Sequence, residues 1–144
     1  MGFREGSGYL DAVDWHAGGD YPAGLPRQAA TTHMGMFLAW AIRNGLGSER
    51  HSDKKTPAVE QLAARSLTPG AYFREICEEW LTPEDFNERG HAFAEVMYNE
   101  YLEEYGCMFV DLDTYRAPDT WETYELVAEM LDALLAEWSE HGAA

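Results

Sequence analysis

Read as apolar and polar positions, the chain opens on a stretch broken by glycine and proline and then settles into helical periodicities. From Met34 to Ile42 the run Met-Gly-Met-Phe-Leu-Ala-Trp-Ala-Ile is apolar on almost every side, which predicts a central helix buried from several directions. Thr31 or Thr32 can start it and Asn44-Gly45 can stop it. Thr56-Pro57 predicts a second helix, with proline at its first position and Val59, Leu62 and Ala63 on one face. Leu67-Thr68-Pro69-Gly70 ends that helix and restarts a short one that turns Tyr72, Phe73, Ile76 and Trp80 inward. Thr82-Pro83-Glu84-Asp85 is another capped start, good for one turn before Gly90. From about His91 the recurrence of Phe93, Met97, Tyr101 and Tyr105, with Ala94, Val96 and Leu102, predicts a longer amphipathic helix. Asp119-Thr120 caps a last helix carrying Trp121, Tyr124, Ala128, Leu131, Leu135 and Trp138, closed by His141 and Gly142.

The intervals are less regular. Residues 1–28, with Gly18, Gly19, Pro22, Gly24 and Pro26, read as an irregular arm holding short extended pieces around Tyr9–Trp15. Ser48–Thr56 reads as a charged surface loop, and Cys107–Leu112 as either a short strand or a buried connector. No fixed-period repeat or low-complexity segment appears. The expected architecture is mostly α: an irregular or orthogonal bundle of about five helices, one domain over residues 1–144, with an extended N-terminal arm packed on it.

Composition supports a folded chain, because 46% of the 144 residues are hydrophobic and 13% aromatic, well above the range of disordered segments. No apolar run approaches the roughly 20 residues needed to cross a bilayer. The first residues lack the apolar region of a secretory signal, and Gly6 stands where a myristoylation pattern requires Ser or Thr. Cys77 and Cys107 have no CxxC partner and read as two reduced, largely buried thiols of a cytosolic protein.

Charge changes the picture more. Residues 1–74 carry seven acids against eight Lys/Arg, whereas residues 75–144 carry nineteen acids against Arg89 and Arg116 alone. The balances, +1 and −17, account for the net charge of −16. Such a field repels nucleic acid and anionic membranes, and it speeds association with a basic protein surface.

Candidate chemistry is sparse. GxxxxGK[ST], GxGxxG, HExxH, GxSxG and CxxC are all missing from the sequence, which removes the easily read nucleotide, zinc-protease and hydrolase classes. Glu88, His91 and Glu95 would share one helix face as in half of a di-iron site, but a facing Glu-x-x-His is lacking, and Glu137/His141 is wrongly spaced. His16 and His33, with Asp14 or Asp20, could form a proton-transfer or metal cluster, yet no nucleophile accompanies them. The simpler reading is that His33, in the first turn of the buried helix, hydrogen-bonds the arm. Trp121, Tyr124 and Trp138 read as core rather than as a stacking platform. Neither a cofactor nor a resident metal is expected, and the chain reads as a binding protein rather than an enzyme.

The arm segment Trp15-His16…Gly19-Asp20-Tyr21-Pro22, followed by Thr32-His33-Met34-Gly35-Met36-Phe37 and Trp40, resembles a family of small bacterial proteins. In that family a Trp-His…Gly-Asp-Phe/Tyr-Pro segment precedes a Thr-His-Ile/Met-Gly-x-Phe-x-x-Trp helix. Leu67-Thr-Pro-Gly, Leu81-Thr-Pro-Glu-Asp-Phe-Asn and Asp119-Thr-Trp-Glu-Thr-Tyr fit as well. The resemblance implies an immunity protein, similar to those encoded beside secreted antibacterial toxins of type VI secretion and polymorphic systems. It assigns no catalytic residues. An immunity protein of this charge would meet its toxin through exposed acids, expected at Glu78, Glu79, Glu84, Asp85, Glu103 and Glu104 and then Asp111 and Asp113, with Trp80 as aromatic anchor. Trp15, His16, Asp20, His33 and Trp40 would define the fold, and association of the chain with itself stays open. The rival reading is a small metal-dependent enzyme or metal-binding domain built on His16, His33 and nearby acids.

Overall fold

The computed structural model describes residues 10–12, 27–53, 55–78, 80–109 and 117–140. Among them are five α-helices: α1 (Thr32–Arg43), α2 (Pro57–Ala63), α3 (Pro69–Cys77), α4 (Glu88–Met108) and α5 (Trp121–Glu140). Short 3-10 turns occupy Arg27–Thr31, Glu49–His51 and Pro83–Asp85. Two brief strands, β1 (Asp11–Ala12) and β2 (Trp80–Leu81), pair antiparallel with Asp11 opposite Leu81 and Ala12 opposite Trp80. The mostly α bundle is therefore the observed architecture. Strand β1 lies within Tyr9–Trp15, where the sequence predicts short extended pieces of an irregular arm.

The hub is α1, in which every residue from Thr32 to Ala41 is buried. It packs most heavily on α3 and then on α5, while α4 and α5 pack on each other. Gly35 makes the closest of these approaches: a Cβ there would land on the Pro69 carbonyl at the start of α3. Trp40 is fully buried, and its indole Nε1–H donates to Asp132 Oδ1 of α5 at 2.9 Å. Around Phe37 the rings of Phe86, Phe93, Tyr98 and Tyr101 gather with centroids 5.0–6.2 Å away, at the separations favoured by aromatic pairs. The buried apolar side chains form one cluster.

Helix starts follow the local chemistry. Thr68 Oγ1 accepts from the Ala71 amide at the head of α3, and Asn87 Oδ1 accepts from the Gly90 amide at the head of α4. Thr120 Oγ1 accepts from the Thr123 amide ahead of α5.

Several expected faces move. Gly90 does not break the chain but lies inside α4, which starts at Glu88; a Cβ at this position would strike the Leu46 carbonyl oxygen, so glycine lets the first turn of α4 sit against the loop after α1. Val96 is 64% exposed and Ala63 is also exposed, because the inward stripes run through Phe93, Met97, Tyr98 and Tyr101 on α4 and through Ala58 and Leu62 on α2. Trp80 is not on the inner face of a helix: α3 ends at Cys77 and Trp80 lies on β2, 37% exposed. Cys107 and Met108 extend α4 rather than forming a strand, and Cys107 is exposed; Val110–Leu112 lie outside the described residues. Among the described residues no helix is long and apolar enough to cross a membrane.

Candidate functional site

Two buried carboxylates organise the polar interior. The first is Asp11 on β1. Its Oδ2 lies 3.0 Å from His33 Nε2 and accepts from the Tyr98 hydroxyl at 2.6 Å, while Oδ1 accepts from the Ala12 amide at 2.8 Å. Tyr101 donates its hydroxyl to the His33 carbonyl at 2.6 Å. His33 thus ties the arm to α1 through Asp11; Asp14, like Asp20, lies outside the described residues. Burial first, and then the Asp11 charge, pushes the Tyr98 hydroxyl well above the usual tyrosine range. Trp15, His16 and Asp20 lie outside the described residues.

The second carboxylate is Asp85, at the end of the 3-10 turn after Thr82. Three segments converge on it. The Ser48 amide donates to the Asp85 carbonyl at 3.1 Å, and Gly47 bridges Phe86, so the loop holding His51 runs beside the turn holding Asp85. Cys77 comes in from the last position of α3. Asp85 Oδ1 then lies 2.8 Å from His51 Nε2, 3.0 Å from Arg50 Nη1 and 3.4 Å from Cys77 Sγ. Oδ2 accepts from the Thr82 amide at 3.0 Å. On the other side of the imidazole, His51 Nδ1 is 2.6 Å from the Tyr72 hydroxyl.

The electrostatics follow from this geometry. Burial alone would raise the Asp85 carboxyl, but the hydrogen bond from His51, the Thr82 amide and the charges of His51 and Arg50 outweigh it and hold the group below its ordinary value. Burial, reinforced by the neighbouring Asp85 charge, pushes the Cys77 thiol far up, so it is a protonated donor rather than a nucleophile. The order of contacts also departs from a Cys–His–Asp catalytic relay: thiol and imidazole both address the carboxylate, so the imidazole does not stand between them as base.

Glu78 follows Cys77 with φ 59° and ψ −96°, a backbone conformation that side chains other than glycine seldom adopt. A cleft of about 820 Å³ lined by Ile42, Val59, Leu62 and Ala63 reaches His51, with Arg43 and Glu60 among its polar residues.

The residues expected to meet a partner are thereby divided. Glu78, Glu84, Glu103 and Glu104 are exposed, and so is Trp80. Asp85 is fully buried and is withdrawn from that surface, since its carboxylate serves His51, Arg50 and Cys77. Glu79, Asp111 and Asp113 lie outside the described residues. Glu88, His91 and Glu95 remain on the outer side of α4, with His91 Nε2 and Glu95 Oε2 4.0 Å apart. His51 was missed altogether: in Ser48–Thr56 it reads as part of a charged loop, yet it is 2% exposed. The only local signal for it is a histidine inside an Arg/Asp/Lys run, which resembles solvent-facing sequence.

These features define a small helical protein whose loops are locked by two buried carboxylate–histidine–tyrosine centres. The family described as a domain of unknown function (DUF7832) matches residues 9–117, and the chain belongs to it. No curated protein and no solved structure matches the chain.

Proposed function

We propose that this protein is an immunity protein, which binds a cognate secreted antibacterial toxin and occludes its active site. One observation carries the reading: α4 and α5, packed together, expose eleven carboxylates and a single cation, Arg89. The exposed acids of α4 are Glu88, Glu95, Glu100, Glu103 and Glu104, and those of α5 run from Glu122 to Glu140. Two long, well-packed helices present that charge on a rigid scaffold, so little ordering entropy opposes docking. A toxin with a basic substrate groove would be drawn to it, and the acids would take the place of an anionic substrate. Exposed Leu126, within the acidic face of α5, and Trp80, at its separate site on β2, offer apolar contact. On this reading the protein acts in the cytoplasm of the toxin-producing cell, holds its toxin through protein contact alone, and is not an enzyme.

Co-expression and pull-down with the product of the adjacent gene test this reading. Capture of that product, rescue of cells from its toxicity, and an association rate that falls steeply with salt are expected. Neither binding nor rescue would overturn the proposal. Replacing Glu103 and Glu104 by lysine should slow association by about tenfold or more while leaving the fold intact.

A further inference from the structure

The Asp85 centre holds three metal-ligand atoms of different chemistry, each supplied by a separate segment. His51, Cys77 and Asp85 place one nitrogen, one sulfur and one oxygen within 4.8 Å of one another, and all three side chains are buried. We propose that His51 Nε2, Cys77 Sγ and Asp85 Oδ1 form a binding site for a borderline-soft divalent cation, Zn²⁺. The edges of a tetrahedral zinc site with such ligands are roughly 3.3–3.6 Å, given bonds of about 2.0–2.3 Å. The present separations from Asp85 Oδ1 are 2.8 Å to His51 Nε2 and 3.4 Å to Cys77 Sγ, so the nitrogen–oxygen edge needs to open by only about half an ångström. A mixed N/S/O set suits zinc and not the hard cations Ca²⁺ or Mg²⁺, which take oxygen ligands.

The surroundings match a ligand set as well as a hydrogen-bond cluster. Ligating histidines characteristically give their other ring nitrogen to a fixed partner, and His51 Nδ1 has the Tyr72 hydroxyl at 2.6 Å. The free oxygen of Asp85 is anchored by the Thr82 amide, which fixes the carboxylate's orientation. The cleft against His51 gives a route inward. Arg50 is the group that must yield, since its Nη1 lies on the same Asp85 oxygen; its side chain is 43% exposed and has room to turn outward.

Binding releases two protons. Zn²⁺ displaces to solvent the thiol proton of Cys77 and the Nε2 proton that His51 directs at Asp85, and takes the resulting thiolate and the freed nitrogen, while His51 keeps its remaining proton on Nδ1 toward the Tyr72 oxygen. A fourth position is left for water. The site is independent of the acidic α4–α5 face, so toxin binding and metal binding can fail separately.

The test uses full-length protein stripped with chelator and titrated with Zn²⁺ alone. One equivalent should bind, and X-ray absorption of the zinc-loaded wild type should show one sulfur at about 2.3 Å with nitrogen or oxygen ligands completing the shell. Co²⁺ in place of Zn²⁺ should give a thiolate-to-cobalt absorption that Cys77→Ser abolishes and Cys107→Ser keeps. Arg50→Gln should tighten Zn²⁺ by about tenfold, because it removes a cation from the ligand oxygen. Substoichiometric binding, a shell without sulfur in the wild type, or a cobalt band that follows Cys107 would each overturn the assignment. The wild-type spectrum decides the matter even where Cys77→Ser fails to fold.

Discussion

The Asp11 and Asp85 centres share a plan and differ in what surrounds it. Each sets a buried carboxylate against a histidine and places a tyrosine hydroxyl within the same network. At Asp11 the tyrosine addresses the carboxylate directly, and the helices that enclose it are α1 and α4. At Asp85 the tyrosine lies behind the histidine, and a thiol and a guanidinium join on the carboxylate. The first centre fastens an arm to a finished core. The second holds three chain segments together, beside a cleft that reaches His51. Similar parts therefore give a clasp in one place and a candidate ligand set in the other.

Removing the carboxylates separates them most sharply. Asp85→Ala leaves His51, Cys77 and the Thr82 amide without their acceptor beside a guanidinium, and should cost about 3–5 kcal/mol in urea denaturation. Asp11→Ala should cost about 1–3 kcal/mol, since the Tyr98 hydroxyl and the Ala12 amide, two neutral donors, lose their acceptor beside His33. Equal losses would erase the distinction. Alkali probes the Asp11 side next. Burial raises Tyr98 and Tyr101 well above 10.0, so the unfolded chain ionises first. The stability contributed by their neutral forms is complete below pH 10 and should fall above it by about 1.4 kcal/mol per pH unit for each tyrosine. Tyrosinate absorbance from these two should then appear together with loss of helix signal, and ionisation within the folded protein would contradict the enclosure. Tyr98→Phe, smaller again, should destabilise by about 1 kcal/mol while leaving the Asp85 network and its zinc titration unchanged. The least effect belongs to Cys107→Ser: under about 0.5 kcal/mol, with loss of the one fast-reacting thiol of the metal-free protein and retention of the protected Cys77.

The helices were readable because each carries its own start signal and stripe. Thr68-Pro69 and Thr82-Pro83 mark turns that form where expected, and Met34–Ala41 is buried throughout, as its composition requires. The site was not readable, because its members owe their burial to distant partners. His51 meets Tyr72 and Asp85, 21 and 34 residues away. Asp85 looks like a solvent-facing cap until Arg50 and Cys77 are brought onto it. Gly90 misled for the same reason: its value lies in the Leu46 carbonyl pressed against it, not in local flexibility. Local periodicity carries no record of such encounters.

The all-round burial of α1 has a consequence for the birth of the protein. Its apolar surface is complete once Arg43 has been added, yet α3 and α5, which cover it, come later, and α5 ends only at Glu140. At about 5–20 residues per second, translation leaves that helix uncovered for on the order of ten seconds. During this window the nascent chain offers its most apolar segment to whatever is near the ribosome, and a chaperone that shields Met34–Ile42 should raise the yield of native protein more than any substitution on the acidic helices.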